Sequence, residues 1–421
     1  MGTYDALYTA VSGMNANQTA ISVIGDNLAN LNTVGFKASR ANFQDVLGQT
    51  LLGSAGAQRT GQGVSLQNIE ALHTQGGFQS TGYDTDLAIS GNGFFVVRDA
   101  DGAASSNHFT RAGQFRLNSD GFLVTPGEMR LQGYAADSNG VLSSSLSDLC
   151  LDDVTTAPEA TSTITTDGNL DPSADAIDAA VAFDPADSDS YNHKTSFLVH
   201  DSLGETHSVE VYYRKSSAGE WEWHAYDEGD TTTELGTGGL TFDTSGELSA
   251  TTGAGTISFT PDNGAAAMNV AMDFGTIGED GAVTQHGGSR GYDLVYDADG
   301  SAAASLTSVT VENDGSVLGS FENGESQVLA QVALATFDGV EGLERQGGNL
   351  WSMSTTSGQP HIGAAGDGGR GLIYAGAVET SNVDITSEFV HLIEAQRGFQ
   401  AASRTVTTVD SLLQEAVNLK R

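Results

Sequence analysis

Apolar residues repeat at heptad spacing at both ends of the chain. Near the N-terminus the repeated positions are Leu7, Met14, Ile21 and Leu28. Near the C-terminus they are Leu392, Phe399, Val406 and Leu413, each followed three positions later by Ala or Val. A repeat of this kind is typical of a coiled-coil seam. It predicts one α-helix at each end, pairing with each other or with neighbouring molecules, although an amphipathic helix on a globular core would give the same periodicity.

Polar residues mark where these helices start and stop. The segment from Asn30 to Gly35 is rich in Asn and Gly, which favour helix termini and turns. Asp384, Ser387 and Glu388 precede the second repeat and suit a helix start. We therefore expect the first helix to end within residues 30–35 and the second to begin around residues 384–388.

Between about residues 60 and 375 the apolar period changes to two. Examples are the segments Ser208–Tyr213, Trp221–Tyr226 and Ser308–Val311. Asp–Gly and Asn–Gly pairs, such as Asp314-Gly315 and Asn323-Gly324, separate such segments and favour tight hairpins. The pattern predicts a mainly β chain of short antiparallel strands with an α-helix at each end. A stretch rich in Ala, Asp, Ser and Thr over 151–190 predicts the start of a separate domain that runs to about 302.

Charge is distributed very unevenly. The 421 residues include 54 Asp and Glu but only 17 Lys and Arg, which gives a formal charge of −37. Residues 1–50 and 380–421 each carry −1, so the residues between them carry −35. Such acidity argues against binding nucleic acid or anionic lipid, because both require a basic surface. Nearly neutral ends can pack against copies of themselves, whereas a strongly acidic middle repels its copies and favours solvation.

Other features restrict the class of protein further. Cys150 is the single cysteine, which excludes an intrachain disulfide framework and a Cys-based zinc cluster. No segment approaches the ~18 consecutive apolar residues of a membrane span, so we expect no membrane insertion. The N-terminal segment has neither a basic region nor a continuous apolar region, and we expect no cleavable secretory signal.

Three short motifs resemble functional sites but lack the required context. Gly287–Gly291, centred on Ser289, fits the nucleophile-elbow string but precedes a strand-like segment instead of a helix. Gly366–Gly371 fits a dinucleotide-binding string, yet it too precedes a strand-like segment. In Asp297–Gly300 the glycine comes fourth, whereas a calcium-binding EF-hand loop requires it at the sixth position. The segment therefore predicts a hairpin turn. We therefore expect no enzymatic activity, no cofactor and no metal.

Long stretches of the sequence resemble a known family. Ala10–Lys37, Thr81–Phe95 and Glu379–Gln400 are similar to the signatures of bacterial flagellar rod and hook proteins. The residues that carry the two terminal signatures here are Asn27, Asn30, Asn32, Thr33, Gly35, Phe36, Asn382, Gln396 and Arg397. Two internal segments, His200–Tyr213 and Val311–Gly324, resemble the hook members of the family.

The resemblance implies a nested, multi-domain architecture. It predicts an inner, coiled-coil-like domain made from the helix of 1–32 and the segment 376–421, with 33–75 as a connecting segment. Residues 76–150 and 303–375 would form a middle β domain, and 151–302 an acidic outer β domain inserted into it. The eight heptad residues are the predicted subunit interface.

The resemblance also implies a function and a location. Subunits would leave the cell unfolded through the flagellar type III export apparatus and polymerise below a hook cap into a curved extracellular tube that transmits motor torque. Expected partners are further copies of the chain, the distal rod protein, the hook–filament junction protein and the hook-length control protein. A distal rod protein or another axial component is the alternative. Because an exposed seam cannot bury its own apolar face, we expect the ends of the free subunit to be disordered and to become ordered on assembly.

Overall fold

The computed structural model describes residues 3–53, 56–99, 107–138, 140–151, 154–277, 281–288 and 291–418. The chain divides into two compact units. The first, here called the terminal unit, comprises Met1–Asp153, Ser308–Ser320 and Ser326–Arg421. The second, here called the inserted unit, comprises Val154–Thr307 and Phe321–Glu325. The six domain borders expected from the sequence are finer than this division and stay predictions.

The described chain is mostly β with a long α-helix near each end, which confirms the predicted fold class. The helices are α1 (Thr3–Ala29) and α2 (Ile385–Asn418), and two short 3₁₀ turns cover Ser188–Ser190 and Val340–Gly342. The strands are β1 Ser39–Gly53, β2 Gly56–Ala71, β3 Phe78–Ser80, β4 Leu87–Ser90, β5 Phe94–Arg98, β6 Asn107–Thr110, β7 Arg116–Leu117, β8 Leu123–Val124, β9 Arg130–Ala135, β10 Ser147–Asp148, β11 Thr163–Asn169, β12 His193–His200, β13 Thr206–Ser217, β14 Glu220–Asp227, β15 Glu234–Phe242, β16 Leu248–Gly253, β17 Thr256–Phe259, β18 Met268–Asp273, β19 Asp293–Ala298, β20 Leu306–Val311, β21 Ser316–Phe321, β22 Ser326–Thr336, β23 Glu344–Gly347, β24 Leu350–Ser352, β25 His361–Ala364, β26 Leu372–Ala375 and β27 Ala377–Glu379.

The two helix boundaries lie where the sequence predicts them. Asn30 donates from its side chain to the carbonyl oxygen of Asp26 at 2.9 Å, which satisfies a carbonyl at the end of α1. At the start of α2, the carboxylate of Asp384 accepts from the backbone N–H of Ser387 at 2.7 Å. Asp384 is therefore the N-cap of α2, a role in which a carboxylate also favours the positive end of the helix dipole.

The main sheet of the terminal unit follows the strand order β20-β21-β22-β9-β5-β6-β24-β23, with β7, β8, β10 and β25 paired at its sides. Successive residues of β5 point to opposite faces, so Phe95 and Val97 lie in one apolar cluster and Phe94 and Val96 in another. Both faces of β5 are therefore covered. Asp314-Gly315 and Asn323-Gly324 lie in the turns on either side of β21, with both glycines at positive φ, as predicted.

The inserted unit contains a five-stranded antiparallel sheet, β12 to β16 in sequence order, and a four-stranded sheet of order β17-β18-β11-β19. One apolar cluster collects side chains from both sheets, with Trp221 and Trp223 from the first and Ile164 and Val270 from the second. In the described residues Asn169 and Thr284 form a parallel bridge, and the pairing of β11 with β18 is also parallel, which departs from the antiparallel expectation. A parallel pair requires a long connection, and β12 to β17 lie between these two strands.

A long two-stranded ribbon is the main feature that the sequence does not predict. β1 and β2 pair antiparallel, from Ser39 opposite Ala71 to Gly53 opposite Gly56, in the segment assigned as a connection. Strand periodicity arises when one face of a strand is buried and the other is exposed. Within the described part of the chain this ribbon pairs with no further strand, and several of its apolar residues stay exposed. The alternation of apolar and polar residues along the ribbon is therefore weak.

Candidate assembly site: the paired terminal segments

The two terminal helices pack against each other in antiparallel orientation. Asn17 of α1 lies beside Gly398 of α2, and Asn27, further along α1, bonds to Glu388, earlier in α2. A Cβ atom added to Gly398 would lie 2.6 Å from Oδ1 of Asn17. A glycine inside a helix costs roughly 1 kcal/mol relative to alanine, so its presence here is explained by the close approach of α1.

The predicted heptad residues are only partly covered by this packing. All eight predicted residues are half-buried, namely Leu7, Met14, Ile21, Leu28, Leu392, Phe399, Val406 and Leu413. The buried apolar residues described on the two helices are neighbours of these on the same helix faces, namely Ala10 and Ile24 of α1 and Ala395 and Val409 of α2. The helix pair thus uses the predicted faces without closing them, and a role of the eight residues in contacts between subunits stays a prediction.

A second apolar surface, not identified by heptad analysis, lies on the outward side of α2. Ile385, Phe389 and Ile393 follow one another at intervals of four residues and are 43%, 47% and 48% exposed. On the ribbon, Leu47 and Ile69 are also more than half exposed. The spacing of four along α2 is the sequence signal that could have revealed this surface, since residues four apart share a helix face.

Asn27 of the N-terminal signature ties α1 to the ribbon and to α2. Its side chain is 1% exposed. The amide oxygen accepts from the backbone N–H of Ser39 at 2.8 Å, and the amide nitrogen donates to the carbonyl oxygen of Ser39 at 2.8 Å. The same nitrogen donates to a carboxylate oxygen of Glu388 at 3.1 Å. The side chain of Asn27 therefore pairs with both backbone groups of Ser39, at the start of β1, and with the carboxylate of Glu388 on α2.

Asn382 of the C-terminal signature has a matching role. Its amide oxygen accepts from the backbone N–H of Ala38 at 2.7 Å. Its amide nitrogen donates to the carbonyl oxygens of Leu72 at 2.7 Å and Thr74 at 3.1 Å. These contacts join the segment before α2 to the chain on both sides of the ribbon.

Below the helices, three charged side chains form what we call the buried ionic cluster: Lys37, Arg111 and Glu379. The carboxylate of Glu379 is fully buried. One of its oxygens lies 2.7 Å from Nζ of Lys37 and the other lies 3.2 Å from the guanidinium of Arg111. Lys37 also donates to the carbonyl oxygen of Thr74 at 2.7 Å. The cluster joins the segment after α1, the segment before α2 and the main sheet.

Burial shifts the pKa values of these groups. Desolvation lowers the pKa of Lys37 and of Arg111, and the adjacent Glu379 carboxylate opposes both shifts. Nearby, burial lowers the pKa of His73 to about 4, with the positive charges of Lys37 and Arg111 acting in the same direction. His73 packs against the rings of Phe94 and Trp351. It is therefore neutral at ordinary pH.

The remaining signature residues separate into buried and exposed groups. Phe36 packs with Ala38 and Val383, and the guanidinium of Arg345 lies 4.8 Å from the centre of its ring. Gly35, at φ +69°, donates its N–H to the carbonyl oxygen of Glu379 at 2.8 Å. Its α-carbon faces the backbone of Arg111 and Ala112 so closely that a Cβ atom would clash.

Other signature residues lie at the surface or at the helix end. The hydroxyl of Thr33 donates to the side chain of Asn30 at 3.2 Å. Asn32 is exposed beside it, and Gln396 and Arg397 are exposed on α2. The structure thus gathers the buried signature residues around the base of the helix pair and leaves Asn32, Gln396 and Arg397 outside that group.

Two of the three short motifs have structural explanations. In the Gly366–Gly371 loop, the guanidinium of Arg370 donates to the carbonyl oxygen of Ala364 at 2.7 Å, and β26 follows directly. The predicted hairpin turn at Asp297–Gly300 is wrong, because β19 ends at Ala298 and pairs with β11, whereas the next strand, β20, belongs to another sheet. The carboxylate of Asp299 accepts from the backbone N–H groups of Ser162 and Thr163 at 2.8 and 3.0 Å. Ser289, the centre of the third motif, lies outside the described residues. Of the helices in the described part of the chain, none is long and apolar enough to cross a membrane.

Family models match successive parts of the chain. They are a flagella basal body rod protein family over residues 7–37, a flagellar hook protein FlgE/F/G D1 domain over 88–171, a flagellar basal body protein FlaE D2 domain over 169–300, and a flagellar basal body rod FlgEFG protein C-terminal family over 374–419.

Curated relatives match over nearly the whole chain. The flagellar hook protein FlgE of Salmonella typhimurium is 34% identical over 419 residues, covering 98% of this chain and 99% of the relative. That of Treponema pallidum is 33% identical over 468 residues, covering 99% of each. That of Brucella suis is 34% identical over 429 residues, covering all of both chains. The crystal structure of the Helicobacter pylori flagellar hook protein FlgE2 has a similar fold, with a TM-score of 0.50 at 15% identity over 72% of this chain and 100% of that chain.

Proposed function

The chain belongs to the flagellar hook protein family, and from that premise we propose that it polymerises through its paired terminal segments into the hook. The hook is a curved, flexible tube that couples the rod to the filament and transmits torque. The proposal rests on full-length similarity to hook proteins. The observation that carries the mechanism is the incomplete burial of the terminal helices.

Assembly would complete the burial that a single chain leaves unfinished. The seam residues of α1 and α2 are half-buried, and the outward apolar residues of α2 and of the ribbon are close to half exposed. Removing apolar surface from water contributes roughly 25 cal/mol per Å². Contacts along a polymer would therefore stabilise both helices and order them.

The acidic middle of the chain suits the outside of a bending tube. Residues 51–379 carry almost all of the formal charge of −37. Like-charged surfaces separated by water make weak contacts that rearrange at little cost. Such surfaces would slide past one another as the tube bends, while apolar contacts of the terminal helices hold the subunits together.

Further parts of the proposal concern export, partners and chemistry. The subunit leaves the cell through the flagellar export apparatus without a cleaved signal. It meets the distal rod protein, the hook cap, the hook–filament junction protein and the hook-length control protein. It acts as a structural protein and not as an enzyme, because its conspicuous polar side chains are engaged in structural contacts, as Glu379 and Asp299 are.

Electron microscopy of the purified protein under salting-out conditions tests this proposal. The full chain should form short curved tubes, and a variant lacking residues 1–32 and 384–421 should form none. A variant lacking only residues 401–421 serves as a graded control, because it retains the signature residues but loses half of α2. Straight rigid tubes from the full chain would favour a rod component, and tubes from the doubly truncated variant would overturn the role of the termini.

A further inference from the structure

A groove of 470 Å³ lies between α1, α2 and the ribbon, here called the terminal groove. Its apolar floor includes Ala20, Val23 and Ile24 of α1 and Phe43 of β1. On the α2 side, Glu388, His391 and Glu394 border it. It thus combines an apolar floor with an acidic lip.

The acidic lip carries uncompensated charge among the described residues. One carboxylate oxygen of Glu388 accepts from Asn27, while the other is buried and has no hydrogen-bond partner in the described part of the chain. Glu394 is exposed and forms no ion pair with a described residue. Arg40 also borders the groove, but its guanidinium is engaged by Glu70 at 3.3 Å. An unpaired buried carboxylate oxygen is costly, so this lip favours a cation.

The outward face of α2 has the complementary composition. Phe389, Ile393 and Arg397 follow at intervals of four residues and form a single row, here called the α2 ridge. Phe389 and Ile393 are about half exposed. Arg397 is exposed and has no acidic partner among the described residues. Rows of residues at this spacing are the ridges that insert into grooves when helices pack.

We infer that the terminal groove of one subunit binds the α2 ridge of a second copy of this chain, with Arg397 of that copy beside Glu394. This inference rests on the proposed function and specifies its contact. Phe389 and Ile393 enter the apolar floor, and Arg397 meets the acidic lip. Because ridge and groove lie on different faces of one subunit, each copy can bind one neighbour and be bound by another. Such heterologous contacts generate rings or helical polymers.

Complementary charge reversals test this pairing in cells. The source bacterium, with its own gene for this chain deleted, would carry Glu394→Arg, Arg397→Glu, or both variant chains expressed together. Each variant alone places two like charges at every contact between groove and ridge. The resulting repulsion weakens binding between subunits and should reduce the number of hooks at least about tenfold. In the mixture, the basic groove lip of the Glu394→Arg chain receives the acidic ridge of the Arg397→Glu chain. The unaltered lip of the second chain likewise receives the unaltered ridge of the first, so hooks counted by electron microscopy should recover.

The mixture distinguishes this contact between subunits from a pairing of Glu394 with Arg397 inside one helix. Glu394 and Arg397 are three residues apart and could attract each other within one chain. Each chain of the mixture still carries two like charges at these positions, so an intrachain role predicts no recovery. Glu312→Arg, at an exposed residue of the terminal unit, is the control with the same charge change and should leave hooks unaffected.

The outcomes distinguish this inference from the proposed function. Hooks formed at normal number by either single variant, or no recovery in the mixture, would overturn the pairing and point to a different occupant of the groove. Failure of the unaltered gene to restore hooks to the deletion strain would overturn the proposed function itself.

Discussion

The contacts that define the terminal unit depend on a few buried polar side chains. Glu379 accepts hydrogen bonds from Lys37, Arg111 and the backbone N–H of Gly76. Along the chain these partners are 342, 268 and 303 positions away from Glu379, respectively. Removing one partner of a buried ion pair leaves the others charged and unsatisfied. The cluster therefore fixes the two terminal segments to the main sheet more specifically than apolar packing alone can.

Substitution of Glu379 should be strongly destabilising. Glu379→Gln keeps the size of the side chain but leaves Lys37 and Arg111 without a counter-charge, at a cost of about 3 kcal/mol or more. Urea unfolding of the terminal unit measures this loss. Glu344→Gln, at an exposed position of β23, is the matched control and should change the free energy of unfolding by less than about 0.5 kcal/mol. Equal stability of the two variants would contradict the role of the cluster.

His73 should make stability depend on pH in the acidic range. Its pKa is about 4 in the folded chain and 6.5 unperturbed, so the unfolded chain binds the proton more readily between these values. Stability contributed by neutral His73 is fully present above pH 6.5 and is lost progressively as the pH falls towards 4, by up to about 3 kcal/mol. His73→Gln should remove this part of the pH dependence. Parallel pH profiles of the two proteins would contradict it.

At the scale of elements, the helices and hairpins were predictable and the ribbon was not. The heptads of Leu392 and its successors, the cap at Asp384 and the turn at Asp314-Gly315 are local signals, and each predicts its element correctly. Among the ribbon residues whose side chains the structure describes, 39–47 and 61–71, none is buried, so no buried face imposes a period of two. The ionic cluster joins residues hundreds of positions apart, and no periodicity along one sequence records such a contact. The buried signature residues were found only through family resemblance.

The approach of the two helices at Gly398 gives a prediction for α2. Alanine there gains helix propensity but places its Cβ against the side chain of Asn17, so Gly398→Ala should lower the temperature at which tubes dissociate. Adding Asn17→Ala removes the clash and should restore it. Gly25→Ala in α1 is the control, since a Cβ there meets nothing within 4 Å, and it should leave the temperature unchanged or raise it slightly. A rise with Gly398→Ala alone would contradict close packing at this point.

At the scale of the whole molecule, the uneven charge sets a balance between cohesion and repulsion. The ends are nearly neutral and partly apolar, whereas the residues between them carry −35 of the formal charge of −37. Repulsion between exposed charges is screened beyond about 30 Å at 0.01 M salt and beyond about 8 Å at 0.15 M. Apolar contacts between the ends are far less sensitive to salt at these concentrations.

Salt should therefore promote polymerisation. Raising sodium chloride from about 0.01 to about 0.15 M should lower the concentration of subunit that remains unpolymerised on wild-type tube seeds, by about tenfold if screening relieves roughly 1.4 kcal/mol per subunit. Sedimentation of seeded reactions measures this concentration, and sucrose of equal osmolality serves as the control. An increase of the unpolymerised fraction with salt would show that ionic attraction dominates and would contradict this balance.

Hydrogen exchange measured on the free subunit and on the assembled tube tests assembly through the terminal helices most directly. Amides of α1 and α2 should exchange rapidly in the free subunit and become protected in the tube, because the helices complete their burial only between copies. Amides of the inserted unit, such as those of β13 and β14, should be equally protected in both states. Full protection of the helices in the free subunit, or new protection confined to the inserted unit, would contradict assembly through the terminal segments.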